Sequence, residues 1–206
     1  MDRKLLVVTT VAAGVLAAVV GCARGGVEAA AGDRPADATT VSVRKAPVSS
    51  WAASTCTGFV DTLKTIATFI DYDPTAHGST ERAKRAALDL LNAAIKRTSE
   101  IKKKLADGGA PDVADGERVQ QLLLTDFSGQ IGVFETSRRD TEAIDPAAAN
   151  FTESVMRALS GEGNPAAQGE PKVLAELENN AEIKQAMAAH ASCRDLRGAL
   201  TGQSTL

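Results

Sequence analysis

From Trp51 to Cys193 the apolar residues recur at steps of three and four, and no strand-like alternation of useful length interrupts them. That period commits the chain to helices. The spacing predicts a first helix over 50–71, with Cys56, Phe59, Val60, Leu63, Ile66, Ala67 and Ile70 on one stripe. Asp73-Pro74 ends it. A second helix over 80–106 carries Ala87, Leu88, Leu91, Ala94, Ile95, Thr98, Ile101 and Leu105, and Asp107-Gly108-Gly109 is its stop signal. A third, over 115–142, bears Val119, Leu122, Leu123, Phe127, Ile131 and Phe134. Its internal Gly129 and Gly132 each cost about 1 kcal/mol against alanine, which points to a close helix approach or a kink there. Asp145-Pro146 reads as an N-cap with proline at the first helical position, opening a short helix over 146–160 with Phe151, Val155 and Leu159. After the glycine-rich stretch 161–169, Pro171 opens a last helix over 171–197, with Val173, Leu174, Leu177, Ala181, Ile183, Met187 and Cys193.

The fold expected is therefore all-α, an up-and-down bundle of four main helices plus one short helix. Composition agrees with it. Of 206 residues, 44% are apolar, but 37 are alanine and only seven aromatic, so the core is lean. A net charge of −3 and a pI near 5.5 give no global reason to expect nucleic acid.

Ahead of the helices, Met1-Asp2-Arg3-Lys4 is followed by a 16-residue apolar run, Leu5 to Val20, closing on Gly21-Cys22. A basic start, an apolar stretch short of the ~20 residues that span a bilayer, and small residues at the end describe a secretory signal. Within it, Val19-Val20-Gly21-Cys22 resembles the lipobox of bacterial lipoproteins, with valine at 19 where leucine is commoner. The resemblance implies a thioether-linked diacylglycerol on Cys22 and cleavage between Gly21 and Cys22. Two or more acyl chains hold a protein on a membrane where one binds marginally. The alternative is an ordinary secretory signal that happens to contain a cysteine. The expected organisation is a signal peptide at 1–21, lipidated Cys22 and a tether at 22–48, a helical domain at 49–198 and a tail at 199–206. Losing residues 1–21 removes a net +1, leaving the rest near −4.

Cysteine arithmetic follows. With Cys22 assigned to lipid, Cys56 and Cys193 remain, near the two ends of the helical region. In an exported protein the simplest pairing is a Cys56–Cys193 disulfide, closing a loop of 137 residues for up to about 5 kcal/mol of chain entropy. The alternative is two buried free thiols. An antiparallel bundle with first and last helices side by side would bring the two together.

Candidate chemistry is sparse. His77 lies in the Asp73–Gly78 loop, and His190 precedes Cys193 by three residues, but an oxidised Cys193 cannot act as a thiolate nucleophile. Asp126 is the carboxylate most closely flanked by apolar residues. No Glu-x-x-His, Gly-x-Ser-x-Gly, phosphate-cradling loop or His-Glu-x-x-His occurs, so neither a metal, a cofactor nor an enzymatic activity is expected. Trp51 reads as a cap on the core, with ligand stacking as the alternative. Asn150-Phe151-Thr152 matches a glycosylation sequon by chance composition.

The second helix is locally basic. Arg82, Lys84, Arg85, Lys96, Arg97, Lys102, Lys103 and Lys104 stand against Glu81, Asp89 and Glu100, a net +5 in an acidic protein. A solvated face, with the lysine run offsetting the negative end of the helix dipole, is the favoured reading. The functional alternative is an anionic partner, phospholipid headgroups or an anionic wall polymer. The whole layout resembles small helical lipoproteins of high-GC Gram-positive bacteria. It implies a membrane-anchored, non-catalytic interaction or accessory protein of the cell envelope, partnered by the membrane and by an envelope protein or wall polymer. A carrier of an apolar or haem-like ligand, using Met187 and His190, is the second expectation.

Overall fold

The computed structural model describes residues 43–162 and 172–200. The signal segment, the lipobox, most of the expected tether and the tail beyond residue 200 lie outside the described residues. Within them the protein is mostly helical, as the apolar period requires, with α1 at Val48–Ile70, α2 at Thr80–Gly108, α3 at Gly116–Ala143 and α4 at Phe151–Ser160. Three more follow: α5 at Lys172–Asn179, α6 at Ala181–Ala189 and α7 at Ala191–Leu200. No helix among the described residues is long and apolar enough to cross a membrane.

Two starts and stops follow from side-chain chemistry. Ser79 caps α2 by accepting from the Arg82 amide, the reason an otherwise basic helix begins there. Gly109 ends it at φ 86°, a region costly for any residue with a Cβ, and a Cβ there would also lie 2.3 Å from the Arg44 carbonyl oxygen. That absence of a side chain lets the Ala110 amide donate to Arg44 at 2.8 Å. Two short parallel strands result, β1 at Lys45–Ala46 and β2 at Ala110–Pro111, in register Lys45 to Ala110 and Ala46 to Pro111. The last residues of the expected tether are thus part of the folded unit, held by backbone hydrogen bonds that composition does not announce.

Three expectations change. The single helix expected over 171–197 is broken into α5, α6 and α7, at Asn180 (ψ 112°) and His190 (ψ 138°), both extended. Asn180 turns from helix interior to N-cap, its side-chain oxygen accepting from the Ile183 amide. Asp145-Pro146 does not open a helix: the Asp145 carboxylate accepts from the Ala147 amide in a turn, and α4 starts only at Phe151. Gly129 and Gly132 mark no close approach, since a Cβ at either meets nothing within 4 Å. The close approach lies instead at Gly58, where a Cβ would sit 2.9 Å from Ile101 Cγ2.

The apolar stripes meet in linked clusters. Trp51, Ile101, Leu105, Val119, Leu123, Phe127, Val173, Leu177 and Ile183 form one, Phe69, Tyr72, Leu91, Phe134, Phe151, Val155 and Leu159 another. The alanine content has a use in the second. Ala83, Ala87 and Ala94 are fully buried on α2, and such small side chains let neighbouring elements approach closely. Tyr72 reaches over them to donate its hydroxyl to the Ala83 carbonyl, and burial together with the Asp73 charge holds its phenol above the ordinary tyrosine range.

Candidate functional site

Where the chain enters the folded unit, α1 and α2 diverge enough to leave a groove. Its first part, about 280 Å³, is lined by Arg44, Lys45, Pro47, Ser50, Ser54 and Lys104 above Trp51 and Leu105. It continues along α1 as a second cleft of about 310 Å³, which shares Ser54, Lys104 and Leu105 and runs past Thr57 and Gly58 to Asp61. The reason is local. On this side α1 presents mainly small residues, Ala53, Ser54, Thr57 and Gly58, so its backbone approaches Ile101 while its flank leaves open space.

The floor is fixed. Trp51 is 4% exposed, and its indole N–H donates to Gln120 Oε1 at 2.6 Å, while Gln120 Nε2 donates to the Leu105 carbonyl at 2.8 Å. One glutamine thereby ties α3 to both helices that flank the groove. Trp51 is a buried part of the core, as the sequence suggests.

Charge on the groove is lopsided. Its lining carries Arg44, Lys45 and Lys104 against Asp61 alone. Asp61 pairs with Arg97 at 3.3 Å, Lys45 with Glu117 at 3.2 Å, and Lys103 with Asp107 one turn along α2. Among the described residues, Lys104 has no hydrogen bond or ion pair, and Arg44 donates only to the Asp107 carbonyl. The hydroxyls of Ser50 and Ser54 are likewise without a partner there.

The eight basic residues of α2 do not share one face. The buried stripe of α2 runs through Ala83, Ala87, Leu91, Ala94, Thr98, Ile101 and Leu105. At 100° per residue, Arg85, Lys96 and Lys103 project opposite that stripe, Arg97 and Lys104 flank it toward α1, and Lys84 and Lys102 flank it on the other side. Lys84 serves the fold: its ammonium donates to the Glu142 and Ile144 carbonyls at 2.8 and 2.7 Å, satisfying the C-terminus of α3. Arg82 projects beside Gly78 at the start of α2. Lys104 is the one basic residue of α2 that lines the groove.

Cys56 and Cys193 are bonded, with Cα atoms 4.9 Å apart. Around them Leu177, Met187 and Leu196 line an apolar cleft of about 240 Å³, rimmed by Glu178, Lys184 and Arg197. Met187 is one of the residues lining this cleft. His190 is not in that lining; it ends α6, and its amide donates to the Met187 carbonyl. His77 stacks on Tyr72 with ring centroids 5.2 Å apart.

Asp126 is half-buried, and its carboxylate accepts from the Val173 amide at 2.8 Å, capping α5 from another helix. Beside it, Arg118 and Glu176 pair at 2.8 Å, holding the Glu176 carboxyl below the usual glutamate range and the Arg118 guanidinium above its usual value. Among the described residues no group of three or more His, Cys, Asp or Glu side chains is placed to hold a metal ion. Arg44, Ser50 and Ser54 escape the sequence reading because the first lies in a segment with tether composition and the others are ordinary polar positions on a helix. No protein-family model, curated protein or solved structure matches the chain.

Proposed function

We propose that this chain is a lipid-anchored protein of the extracytoplasmic face of the cell membrane, serving as a non-catalytic interaction or accessory module of the envelope. The observation that carries the reading is Val19-Val20-Gly21-Cys22 behind a basic start and a 16-residue apolar run. The Cys56–Cys193 bond supports it. Disulfides persist in oxidising compartments, and this one uses both cysteines that the lipobox leaves over.

The folded part is an up-and-down bundle in this reading. Gly58 faces Ile101 and Asp61 faces Arg97, so α1 and α2 run in opposite senses. Gln120 reaches Leu105 and Lys84 reaches Ile144, so α2 and α3 do as well. Replacing Cys22 with alanine should release the protein from the membrane fraction; continued tight association would overturn the anchor. Crosslinking in intact cells would then recover an envelope partner.

The apolar cleft beside Met187 favours a second reading, a carrier of a small apolar ligand. Native mass spectrometry tests it. A mass unchanged on offering lipids or haem would remove the carrier from consideration.

A further inference from the structure

We infer that the groove between α1 and α2 is a binding site for the headgroup of an anionic phospholipid, and that through it the domain lies against the membrane. This rests on the anchor reading above and goes beyond it by naming a second contact and the residues that make it. Three observations meet there. The groove has room for a small charged group, in two joined clefts of about 280 and 310 Å³. Its lining supplies the complementary chemistry: Lys104 and Arg44 form no ion pair among the described residues, and Ser50 and Ser54 hold hydroxyl donors along one flank of α1. Three neighbouring acids are matched, Asp61 by Arg97, Glu117 by Lys45 and Asp107 by Lys103, and the lining itself carries more basic than acidic side chains. Glu100, one turn before Lys104 on α2, lies outside the lining and makes no ion pair there.

Position decides the occupant. The groove opens beside Arg44, at the end of the folded unit where the chain arrives from Cys22. Only 20 residues lie between Cys22 and Val43, so whatever their course Val43 stays within about 75 Å of the acylated residue. A phosphate-bearing surface is thus within reach, and a monoanionic phosphodiester suits a site that offers guanidinium, ammonium and hydroxyl donors with few acids to repel it. Contact through both lipid and headgroup is bivalent, so a weak headgroup site suffices to orient the domain.

The test uses the full chain carrying Cys22→Ala, oxidised and free of acyl groups, mixed with vesicles of phosphatidylcholine alone or with added phosphatidylglycerol. The leader, with its basic Arg3 and Lys4, is common to every variant, so the change in phosphatidylglycerol preference from one variant to the next reads the groove. Binding should favour phosphatidylglycerol and weaken as salt rises. Substituting both Arg44→Gln and Lys104→Gln should lower that preference by roughly 25-fold, about five-fold for each cation near an anionic surface. The control is Arg85→Gln with Lys96→Gln, exposed residues outside the groove, which removes the same charge and should leave the preference within about two-fold. Equal losses in the two double variants would mean diffuse attraction and overturn the site, and so would the absence of a phosphatidylglycerol preference. Either failure, with Cys22-dependent retention on the membrane intact in cells, sinks the groove and leaves the anchor standing.

Discussion

The bond between Cys56 and Cys193 joins the first half of α1 to α7 across 137 residues. Both cysteines are buried, at 0% and 3% exposure, and Val60 and Leu196 pack with them. Replacing both cysteines with alanine should cost about 3–5 kcal/mol and lower Tm by roughly 10 °C, measured by thermal unfolding. An unchanged Tm would mean the unfolded chain is not restrained by the link.

Gly58 and Gly129 should respond oppositely to alanine. At Gly58 the new methyl meets Ile101 Cγ2 at 2.9 Å, and the clash should outweigh the gain in helix propensity, destabilising by about 1–2 kcal/mol. At Gly129 a Cβ meets nothing within 4 Å, so the same change should stabilise by up to about 1 kcal/mol. Urea unfolding of the two variants separates them.

The hydroxyls of Thr55 and Thr98 are buried without a hydrogen-bond partner among the described residues. An orphaned hydroxyl costs desolvation and returns nothing. Thr98→Val keeps the shape and removes the polar atom, and should stabilise by about 1 kcal/mol, raising Tm by roughly 2–4 °C.

Gln120 is the joint beneath the groove. Gln120→Leu strips the Trp51 indole N–H and the Leu105 carbonyl of their partner and should cost about 1–3 kcal/mol. Trp51 fluorescence should shift as the indole loses its fixed surroundings. A spectrum and midpoint equal to those of the parent would show that water replaces the glutamine.

Acid should loosen α5 first. The Glu176 carboxyl is held below its ordinary value by the Arg118 hydrogen bond. A depressed folded-state pKa contributes stability that is present in full above the usual glutamate value, about 4.3, and is lost as pH falls through the lowered one. Amide exchange in α5 should therefore accelerate below about pH 4, and Glu176→Gln should remove that dependence. Arg118 is exposed and Glu176 only half-buried, so the effect is small and local.

Much of this was legible in the chain because it depends on near neighbours. A three-and-four apolar period fixes helices wherever a core is available, and Ser79, Gly109 and Asp73-Pro74 set boundaries through bonds within a few residues of themselves. The sequence determined these things alone: helical class, the main helices from Trp51 to Thr141, and a pair of cysteines whose positions suit a link. Only the tertiary structure decided what depends on distant partners. Asn180 and His190 break a continuous stripe, and Asn180, besides capping Ile183 nearby, donates its side-chain amide to the Ala114 carbonyl 66 residues away. Lys84 becomes a cap for α3 rather than a member of a basic face, since two carbonyls from 58 and 60 residues away converge on it. Arg44 leaves the tether because Gly109 has no Cβ to keep it out, and with Lys104 it then frames a groove that neither segment describes by itself. Local periodicity carries no information about such pairings, which arise only when separate stretches are packed against a common core.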